Sequence, residues 1–376
     1  MKKMFLIPAL VAVLLIGGCI PSPGGQEEEL IQDTEENVEE TVIIPDIQLK
    51  DEFYRTLLPF KKSASRGLIT DTTRTKYDIQ EVEEGLLRIA TQHFDPEDHF
   101  FQEGQYIDTK TILSWLQNKS EENEAGLNPS IEGMSEEQAE NAPTYLAHVV
   151  EQNFHVMTKD KEENKVRLDG IAIGLALNTI HYTKSGKETE ISNAEIEEQG
   201  TLMAEEIVKR LRSQEGLADI PIVVGLYKQG SRQSILPGSY FASVVAEKGK
   251  GPSGWKVIDE EYVLFPNSAN EEEYRETNTA FLNFKQAIDD YFPSFVNVIG
   301  RGFYKNGELS SLEIEVPIQF FGTSETIGFT QYLTGLIPTH LPNVPTEVSI
   351  TSVNGPEALI VIEAVDEEPF VHIYGY

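Results

Sequence analysis

The sequence predicts an α+β fold of two tandem units, each a small and mostly antiparallel sheet packed with helices. Two observations lead to this prediction. Several segments alternate apolar and polar residues, as strands with one buried face do, while others carry apolar residues at helical spacing. The two kinds of segment also follow one another in the same order in two parts of the chain, which indicates a duplicated unit.

The composition limits the class of protein. The 376 residues carry a formal net charge of −32, and 40% of them are hydrophobic, which is enough to form a buried core. A chain with this negative charge would repel nucleic acid and anionic lipid headgroups. Neither is therefore expected as an electrostatic partner. A single cysteine cannot form an internal disulfide or a cysteine-rich zinc site. No cofactor is expected.

Residues 1–18 have the pattern of a removable secretory signal. Lys2 and Lys3 precede an uncharged apolar run over residues 4–16, and two glycines follow it. The apolar run is shorter than the roughly 20 residues that a membrane-spanning helix needs. We therefore expect the signal to be cleaved rather than to remain as an anchor.

The end of the signal, Ile16-Gly17-Gly18-Cys19, resembles the lipobox of bacterial lipoproteins. The resemblance implies that lipoprotein diacylglyceryl transferase modifies the Cys19 thiol and that signal peptidase II cuts between Gly18 and Cys19. Two acyl chains hold a protein stably on a bilayer. The sequence thus predicts a lipid-anchored protein on the extracellular face of the cell membrane. The alternative is an ordinary secretory signal followed by an incidental cysteine.

The mature chain divides into a tether and two units. Residues 19–50 are predicted to be an extended acidic tether, because prolines and glycines precede a run of acidic residues that contains no basic one. Folded structure is expected to begin near Phe53. The first unit is assigned to residues 51–260 and the second to residues 261–376.

Elements of the first unit follow from apolar spacing. Asp78 and Glu81 match a capping box at the start of a helix. A second helix is expected over residues 108–117 and an exposed loop over 118–141. The order helix, strand, helix, strand, strand is then predicted, at residues 146–154, 171–177, 203–211, 222–227 and 240–245.

The second unit repeats this order. Its elements are predicted at residues 274–291, 312–320, 329–337, 348–353 and 359–365, with Asn354-Gly355 as the turn between the last two strands. The two copies share few residues, so the duplication is inferred from the order of elements alone. In each unit we expect helices on one face of the sheet and water on the other.

The signal, the acidic segment, the doubled unit and the stretch YRTLLPFKKSASRGL at residues 54–68 together resemble the CamS family. Its members are lipoproteins of Gram-positive bacteria that are sex pheromone precursors. The resemblance implies that the end of the cleaved signal is trimmed to a short secreted pheromone, although every lipoprotein signal must be apolar in this region. The corresponding heptapeptide is Ala12, Val13, Leu14, Leu15, Ile16, Gly17 and Gly18.

Few residues of the folded part indicate chemistry. His93 and His99, with three acidic residues between them, could bind a metal or end a helix, but Pro96 breaks the helix that would align them, and no metal site is predicted. Residues 225–231 lack the lysine of a P-loop and are interpreted as a hairpin turn. The motifs of serine hydrolases and zinc proteases, Gly-x-Ser-x-Gly and His-Glu-x-x-His, do not occur.

Arg66 lies beside Gly67 in an otherwise acidic protein. It either binds an anionic ligand or pairs with a carboxylate, and the second alternative is favoured because most such pairs are structural. The predicted function is a non-enzymatic binding or envelope-associated module with an unidentified ligand. The alternative is an extracytoplasmic enzyme with an acidic active site between the two units, because paired carboxylates leave no sequence signature.

Overall fold

A computed structural model of the chain describes residues 28–33, 39–50, 53–66, 68, 76–159, 164–268, 272–292, 297–319, 322–363 and 368–375. Up to residue 257 the elements are β1 (Glu28–Asp33), β2 (Glu39–Ile44), β3 (Arg55–Thr56), α1 (Lys76–Ala90), β4 (Phe100–Glu103), α2 (Thr109–Trp115), α3 (Glu136–Asn141), β5 (Leu146–Lys159), β6 (Asn164–Leu177), β7 (Ile180–Tyr182), β8 (Glu188–Glu190), α4 (Asn193–Arg212), β9 (Ile222–Lys228), β10 (Ser239–Ala246) and β11 (Lys256–Val257). Then follow β12 (Glu260–Phe265), α5 (Arg275–Tyr291), β13 (Ile299–Lys305), β14 (Glu308–Pro317), α6 (Thr323–His340), β15 (Thr346–Ser352), β16 (Gly355–Ile362) and β17 (Phe370–Ile373).

The strands form two large sheets, and the predicted α+β class with two units is confirmed. The first sheet has the order β11-β10-β9-β6-β5-β4-β3, with the β1–β2 hairpin joined to the start of β6. The second has the order β12-β13-β14-β15-β16-β17. Strands β7 and β8 form a separate hairpin.

The duplication is visible in the topology. In the first sheet β5 and β6 are antiparallel, α4 connects β6 to the parallel strand β9, and β10 returns antiparallel to β9. In the second sheet β13, β14, α6, β15 and β16 repeat these relations. The repeated order is therefore strand, strand, helix, strand, strand, and the first helix of the predicted order is not part of it in either copy.

The helix predicted at residues 146–154 is wrong, because these residues belong to β5. All residues from 146 to 155 are buried, so both faces of the strand are covered and the two-residue alternation is hidden. Leu146 and Val149 lie beneath α4, whereas Val150 and Phe154 lie beneath α1. A bulge near the start of β5 further disturbs the alternation of side chains between the two faces. Their helix-like spacing therefore mixes residues from two faces of one strand.

The other predicted elements of the repeats have counterparts in the structure. The predicted helices at 203–211, 274–291 and 329–337 correspond to α4, α5 and α6. The predicted strands correspond to β6, β9, β10, β14, β15 and β16. Residues 320 and 365, at the predicted ends of two strands, lie outside the described residues. Strand β13 was not predicted, since its sequence IGRGFYK has no clear alternation.

Helix starts differ in part from the prediction. Helix α1 begins at Lys76, so Asp78 lies inside the helix and the predicted capping box is wrong. Helix α2 starts as predicted, with the Asp108 carboxylate accepting from the Thr111 backbone N–H at 2.6 Å. The predicted loop over 118–141 ends in the short helix α3, which has a capping box formed by Ser135 and Gln138.

The predicted tether is partly folded. Strands β1 and β2 lie within residues 19–50 and form an antiparallel hairpin, and β1 also runs parallel to the start of β6. Val42 and Ile44 are buried in a cluster with Leu57 and Phe100. The dense negative charge of residues 27–40 concealed this hairpin, because an acidic run without basic residues is typical of an extended tether.

Helices cover both faces of the first sheet but one face of the second. Helix α1 packs on one face of the first sheet and α4 on the other, so the expectation of a wet face is wrong for this unit. In the second sheet, α5 and α6 lie together on one face, where Phe284 and Phe329 contact the strands. Glu313 and Glu347 are exposed on the opposite face, as expected.

Tyr240 determines how α1 approaches the first sheet. A β-carbon added at Gly85, Gly174 or Gly225 would lie 2.7, 2.5 or 2.6 Å from the nearest atom of the Tyr240 side chain. The ring therefore fills a groove that only glycines leave open. Its hydroxyl donates to the Val82 carbonyl oxygen of α1 at 2.7 Å. Helix and strand are thus fixed to each other through one buried aromatic side chain.

A buried carboxylate holds the loop that follows β4. Glu151 of β5 accepts backbone N–H bonds from Gln105 and Tyr106, each at 3.0 Å, and from Ile107 at 2.9 Å. Gly104 lies so close that an added β-carbon would be 2.3 Å from the Glu151 Cβ. Burial raises the pKa of Glu151 to about 7, although the three N–H donors act in the opposite direction.

Charged residues join the two units. Arg88 of α1 donates to Glu81 at 2.5 Å and to Glu260 of β12 at 2.8 Å. The Tyr262 hydroxyl donates to the other oxygen of Glu81, and the Arg88 guanidinium lies 4.6 Å from the centre of the Phe303 ring. Burial raises the pKa of Glu81, whereas Arg88 and Tyr262 act to lower it. This interface cluster depends on Arg88, because its guanidinium contacts both carboxylates, while the Lys305 ammonium lies 3.9 Å from Glu260.

We expect Arg88→Met to destabilise the protein by about 3–5 kcal/mol, because it removes the guanidinium that the two largely buried carboxylates of Glu81 and Glu260 share. The free energy of unfolding, measured in urea, provides the test. The matched control is Arg275→Met, which breaks an exposed pair with Glu272 and should cost at most about 1 kcal/mol. Equal effects of the two substitutions would contradict the structural role of Arg88.

Glu151 should also make stability depend on pH. Its pKa is about 7 in the folded protein and has its ordinary value of 4.5 in the unfolded chain, so folding favours the protonated form. The resulting stabilisation is complete below about pH 4.5 and is lost as the pH rises through about 7, with a total on the order of 3 kcal/mol.

The measurement is the free energy of unfolding from pH 4 to 8 for the wild type and for Glu151→Gln, which does not titrate. We expect the wild type to lose stability relative to this variant as the pH rises. Glu136→Gln, on the exposed helix α3, serves as the control and should leave the wild-type pH profile unchanged. Parallel profiles for Glu151→Gln and wild type would contradict the assignment.

Candidate functional site

The residues of the predicted signal and lipidation site lie outside the described residues. This holds for the heptapeptide at 12–18 and for Cys19. In the part of the chain that the structure describes, no helix combines the length and the apolar character needed to span a bilayer. The structural search for a site therefore concerns the folded units.

Arg66 pairs with a carboxylate. Its Nε donates to Glu103 Oε2 at 3.0 Å and its Nη2 donates to the other oxygen of the same carboxylate, while Glu83 lies 4.0 Å away. Glu103 also accepts from the Ser63 backbone N–H at 2.7 Å. The hydrogen bonding of Arg66 to Glu103 is the main cause of the raised pKa of Arg66. Of the two alternatives for Arg66, carboxylate pairing is observed, and it fixes segment 54–68 to the edge of the first sheet.

His93 and His99 lie in different surroundings. His99 Nε2 is 3.4 Å from Asp169 Oδ2, and its Nδ1 is 3.0 Å from the Asp95 carbonyl oxygen. The Asp95 side chain accepts from the Glu97 backbone N–H at 2.9 Å, which forms the turn after α1. Across the described ranges, no group of three His, Cys, Asp or Glu side chains is arranged to hold a metal ion. Turn formation therefore accounts for most of this sequence cluster.

Residues 225–231 form the end of β9 and the turn after it. Gly225 lies inside the strand against the Tyr240 ring, and β9 pairs antiparallel with β10. The interpretation as a hairpin is confirmed.

The contact between the units contains several acidic residues but little space. Glu81 and Glu260 share the guanidinium of Arg88, so their charges are offset within the interface cluster. A cavity of about 30 Å³ beside Glu81 and Tyr262 has room for one or two water molecules. At this cavity the carboxylates could not approach an organic substrate, and their contacts are those of a structural joint.

A roomier cleft lies where α1 ends against the rim of the first sheet. Its volume is about 290 Å³. It is lined by Ser243 and Val245 of β10, by His93 and by residues of the loop over 247–254. Lys256 of β11 is paired with Ser243 in the strand register, which places the lysine next to Ser243. We call this the β10–β11 cleft.

The loop of the β10–β11 cleft is fixed by a single arginine. From the end of α4, Arg212 donates to the carbonyl oxygens of Ala246 at 3.0 Å, Glu247 at 2.8 Å and Lys250 at 3.5 Å. Gly249 turns the chain with a φ of 71°, a conformation that glycine adopts without strain. The loop shape is therefore set by the fold.

The β10–β11 cleft is polar and carries positive charge. Lys250 and Lys256 line it, and neither forms an ion pair with any residue that the structure describes. Burial lowers the pKa of His93, Lys256 lowers it further, and Glu247 acts in the opposite direction. The imidazole is thus neutral at pH 7 and can both donate and accept hydrogen bonds. This set of groups can bind an anion.

Sequence reasoning did not identify the β10–β11 cleft. A signal was present in the stretch EKGKGPSGWK, residues 247–256, where lysines and glycines are concentrated in an otherwise acidic chain. That His93 lies opposite this stretch depends on the packing of α1 on the sheet and could not be predicted from local sequence.

Comparisons with known proteins agree with the fold. The family model of the CamS sex pheromone cAM373 precursor matches residues 60–368. No curated protein matches the chain. A solved sex pheromone precursor from Lactobacillus salivarius subsp. salivarius UCC118 is 27% identical and has a TM-score of 0.80, with 88% of this chain and 98% of that chain covered.

A second similar structure is the C-terminal domain of the sex pheromone staph-cAM373 precursor from Staphylococcus aureus. It is 32% identical, has a TM-score of 0.68, and covers 81% of this chain and 99% of its own. Because the family model matches most of the chain, the chain belongs to the CamS sex pheromone cAM373 precursor family.

Proposed function

We propose that the chain is the precursor of a secreted peptide pheromone and that, after cleavage, it is a lipid-anchored surface protein with a non-enzymatic binding module. The family match over residues 60–368 carries this proposal, and the lipobox-like end of the signal supports it. The proposed pheromone is the heptapeptide at residues 12–18. The anchor is a diacylglyceryl group on Cys19.

The distance between the anchor and the folded part is consistent with a membrane-attached module. Strand β1 begins at Glu28, nine residues after Cys19. At about 3.4 Å per extended residue, the first strand lies at most about 30 Å from the lipidated cysteine. An anchor on Cys19 would therefore keep the module close to the membrane surface.

The binding role of the module is supported by the β10–β11 cleft, where Lys250 and Lys256, which form no ion pair within the described residues, lie with the neutral imidazole of His93 beside a fixed loop. The enzyme alternative required an acidic site between the units. Glu81 and Glu260 are held there by Arg88, beside a cavity of about 30 Å³. These contacts favour the non-enzymatic proposal.

Cys19→Ala should abolish fatty-acid labelling and release the protein from the membrane fraction, because no thiol remains to accept the diacylglyceryl group. Metabolic labelling with a radioactive fatty acid, followed by fractionation, provides the measurement. Ser22→Ala, three residues further on, is the matched control and should remain labelled and membrane-bound. Continued labelling of the Cys19 variant would overturn the proposed anchor.

The synthetic heptapeptide AVLLIGG should induce clumping of a responder strain that carries a pheromone-sensing conjugative plasmid. Its uncharged and apolar side chains suit an apolar peptide-binding pocket. A peptide with the same residues in scrambled order is the control, since it matches composition but not sequence. A lack of response at high concentration, or an equal response to the scrambled peptide, would exclude the pheromone role.

A further inference from the structure

We propose that the β10–β11 cleft binds the phosphate group of a small soluble molecule. The proposal rests on the proposed function of the folded part as a binding module and names the ligand class of that site. Lys250 and Lys256 would supply the charge, and His93, Ser243 and the glycine-rich loop would supply hydrogen bonds.

The cleft carries more positive than negative charge. The chain has 62 acidic and 30 basic residues, so a basic side chain has many carboxylates available as partners. Arg66, Arg88 and Arg301 each contact at least one such partner. Lys250 and Lys256 line one cavity, yet neither forms an ion pair within the described ranges. Two ammonium groups at one cavity, with Glu247 as the one carboxylate among its lining residues, favour a bound anion.

Glu247 offsets only part of this charge. Its carboxylate lines the same cleft and raises the pKa of His93, while Lys256 lowers it. Two lysines and one glutamate leave a net charge of about +1 with His93 neutral. An anionic ligand is therefore favoured over a cation, and a strongly cationic ligand would be repelled.

The hydrogen-bonding groups of the cleft come from three separate segments of the chain. His93 follows α1, Ser243 lies in β10, and Ser253 and Gly254 belong to the loop over residues 247–254. Donors from several segments suit a tetrahedral oxyanion, whereas a planar carboxylate is best held by the flat fork of an arginine. Lysine acts as a point charge and binds phosphate without such a fork. These features favour phosphate over carboxylate.

The site is already formed. Arg212 holds the carbonyl groups of Ala246, Glu247 and Lys250, and its other hydrogen bonds reach Leu217 and Ile220. Trp255, at the end of the loop, packs against the main core of the first sheet. Little conformational entropy would be lost when a ligand binds to a loop held in this way.

The volume of the cleft limits the size of the ligand. A volume of about 290 Å³ is at the lower end of the range for small-molecule sites, which begins near 300 Å³. A phosphate with a small organic group fits this space, and a folded peptide does not. An anionic membrane surface is a less suitable source of the phosphate, because the net charge of −32 would oppose its approach.

Calorimetric titration of the full-length protein in non-ionic detergent, at low salt, tests the proposal. The probes are inorganic phosphate and glycerol 3-phosphate. We expect both to bind, and we expect Lys250→Gln and Lys256→Gln each to weaken binding about tenfold, as loss of a charge-assisted hydrogen bond does. Lys248→Gln is the matched control, since Lys248 belongs to the same loop but does not line the cleft. It should change affinity less than about twofold.

Two further variants make the result specific. Glu247→Gln should strengthen binding severalfold, because it removes the negative charge from the cleft. In NMR titrations of the wild type, the His93 imidazole should titrate at higher pH when phosphate is present, because a bound anion favours the imidazolium. The NMR signal of His93 is assigned as the one that is lost in the His93→Gln variant. A His93 titration that phosphate leaves unchanged would contradict the proposed site.

The proposal is overturned if neither soluble phosphate binds, or if Lys248→Gln weakens binding as much as Lys256→Gln does. Binding only to phosphatidylglycerol vesicles, and not to phosphatidylcholine vesicles or soluble phosphates, would also overturn it. None of these outcomes affects the proposed anchor or pheromone, which depend on residues 12–19. Failure of the phosphate site can therefore be distinguished from failure of the precursor function.

Discussion

The arrangement of the two units depends on the placement of one guanidinium group. Arg88 is held between Glu81 of its own helix and Glu260 at the start of the second sheet, with the Phe303 ring against its face. Each carboxylate alone would be costly at this depth, and the arginine would be too. The three groups therefore stabilise one another, with Lys305 as a further positive charge 3.9 Å from Glu260, and their contacts fix α1 relative to β12 and thus the first sheet relative to the second.

The same helix connects the joint to the β10–β11 cleft. Tyr240 fixes α1 from the sheet side by lying against Gly85 and by donating to the Val82 carbonyl oxygen. Helix α1 is thus held on one side by a ring packed among glycines and on another by the interface cluster. His93 follows three residues after the last residue of α1, so its position opposite Lys256 is a consequence of both contacts.

Sequence reasoning succeeded where one local pattern determined the structure. The strand at residues 312–318 was predicted from its strict alternation, and helices α4 and α5 from their apolar spacing. Neither prediction required knowing which elements pack against them. Sequence reasoning failed for β5, since burial on both faces removes the alternation, and for α1, where Glu81 forms an inter-unit contact instead of a cap. The β10–β11 cleft could not be predicted for the same reason: its walls come from residues about 150 positions apart in the chain, at His93 and Gly249.

Acidic residues outnumber basic residues about two to one in this chain. In a chain with twice as many carboxylates as cations, an arginine or lysine finds a partner at little cost, and Arg66 and Arg88 both do so. Their pairs stabilise contacts that are internal to the fold. Lys250 and Lys256 instead point to a cleft whose loop is shaped by Arg212. The fold thus uses one set of cations to hold its parts together and leaves another set facing solvent, where a ligand rather than the chain can complete the charge balance.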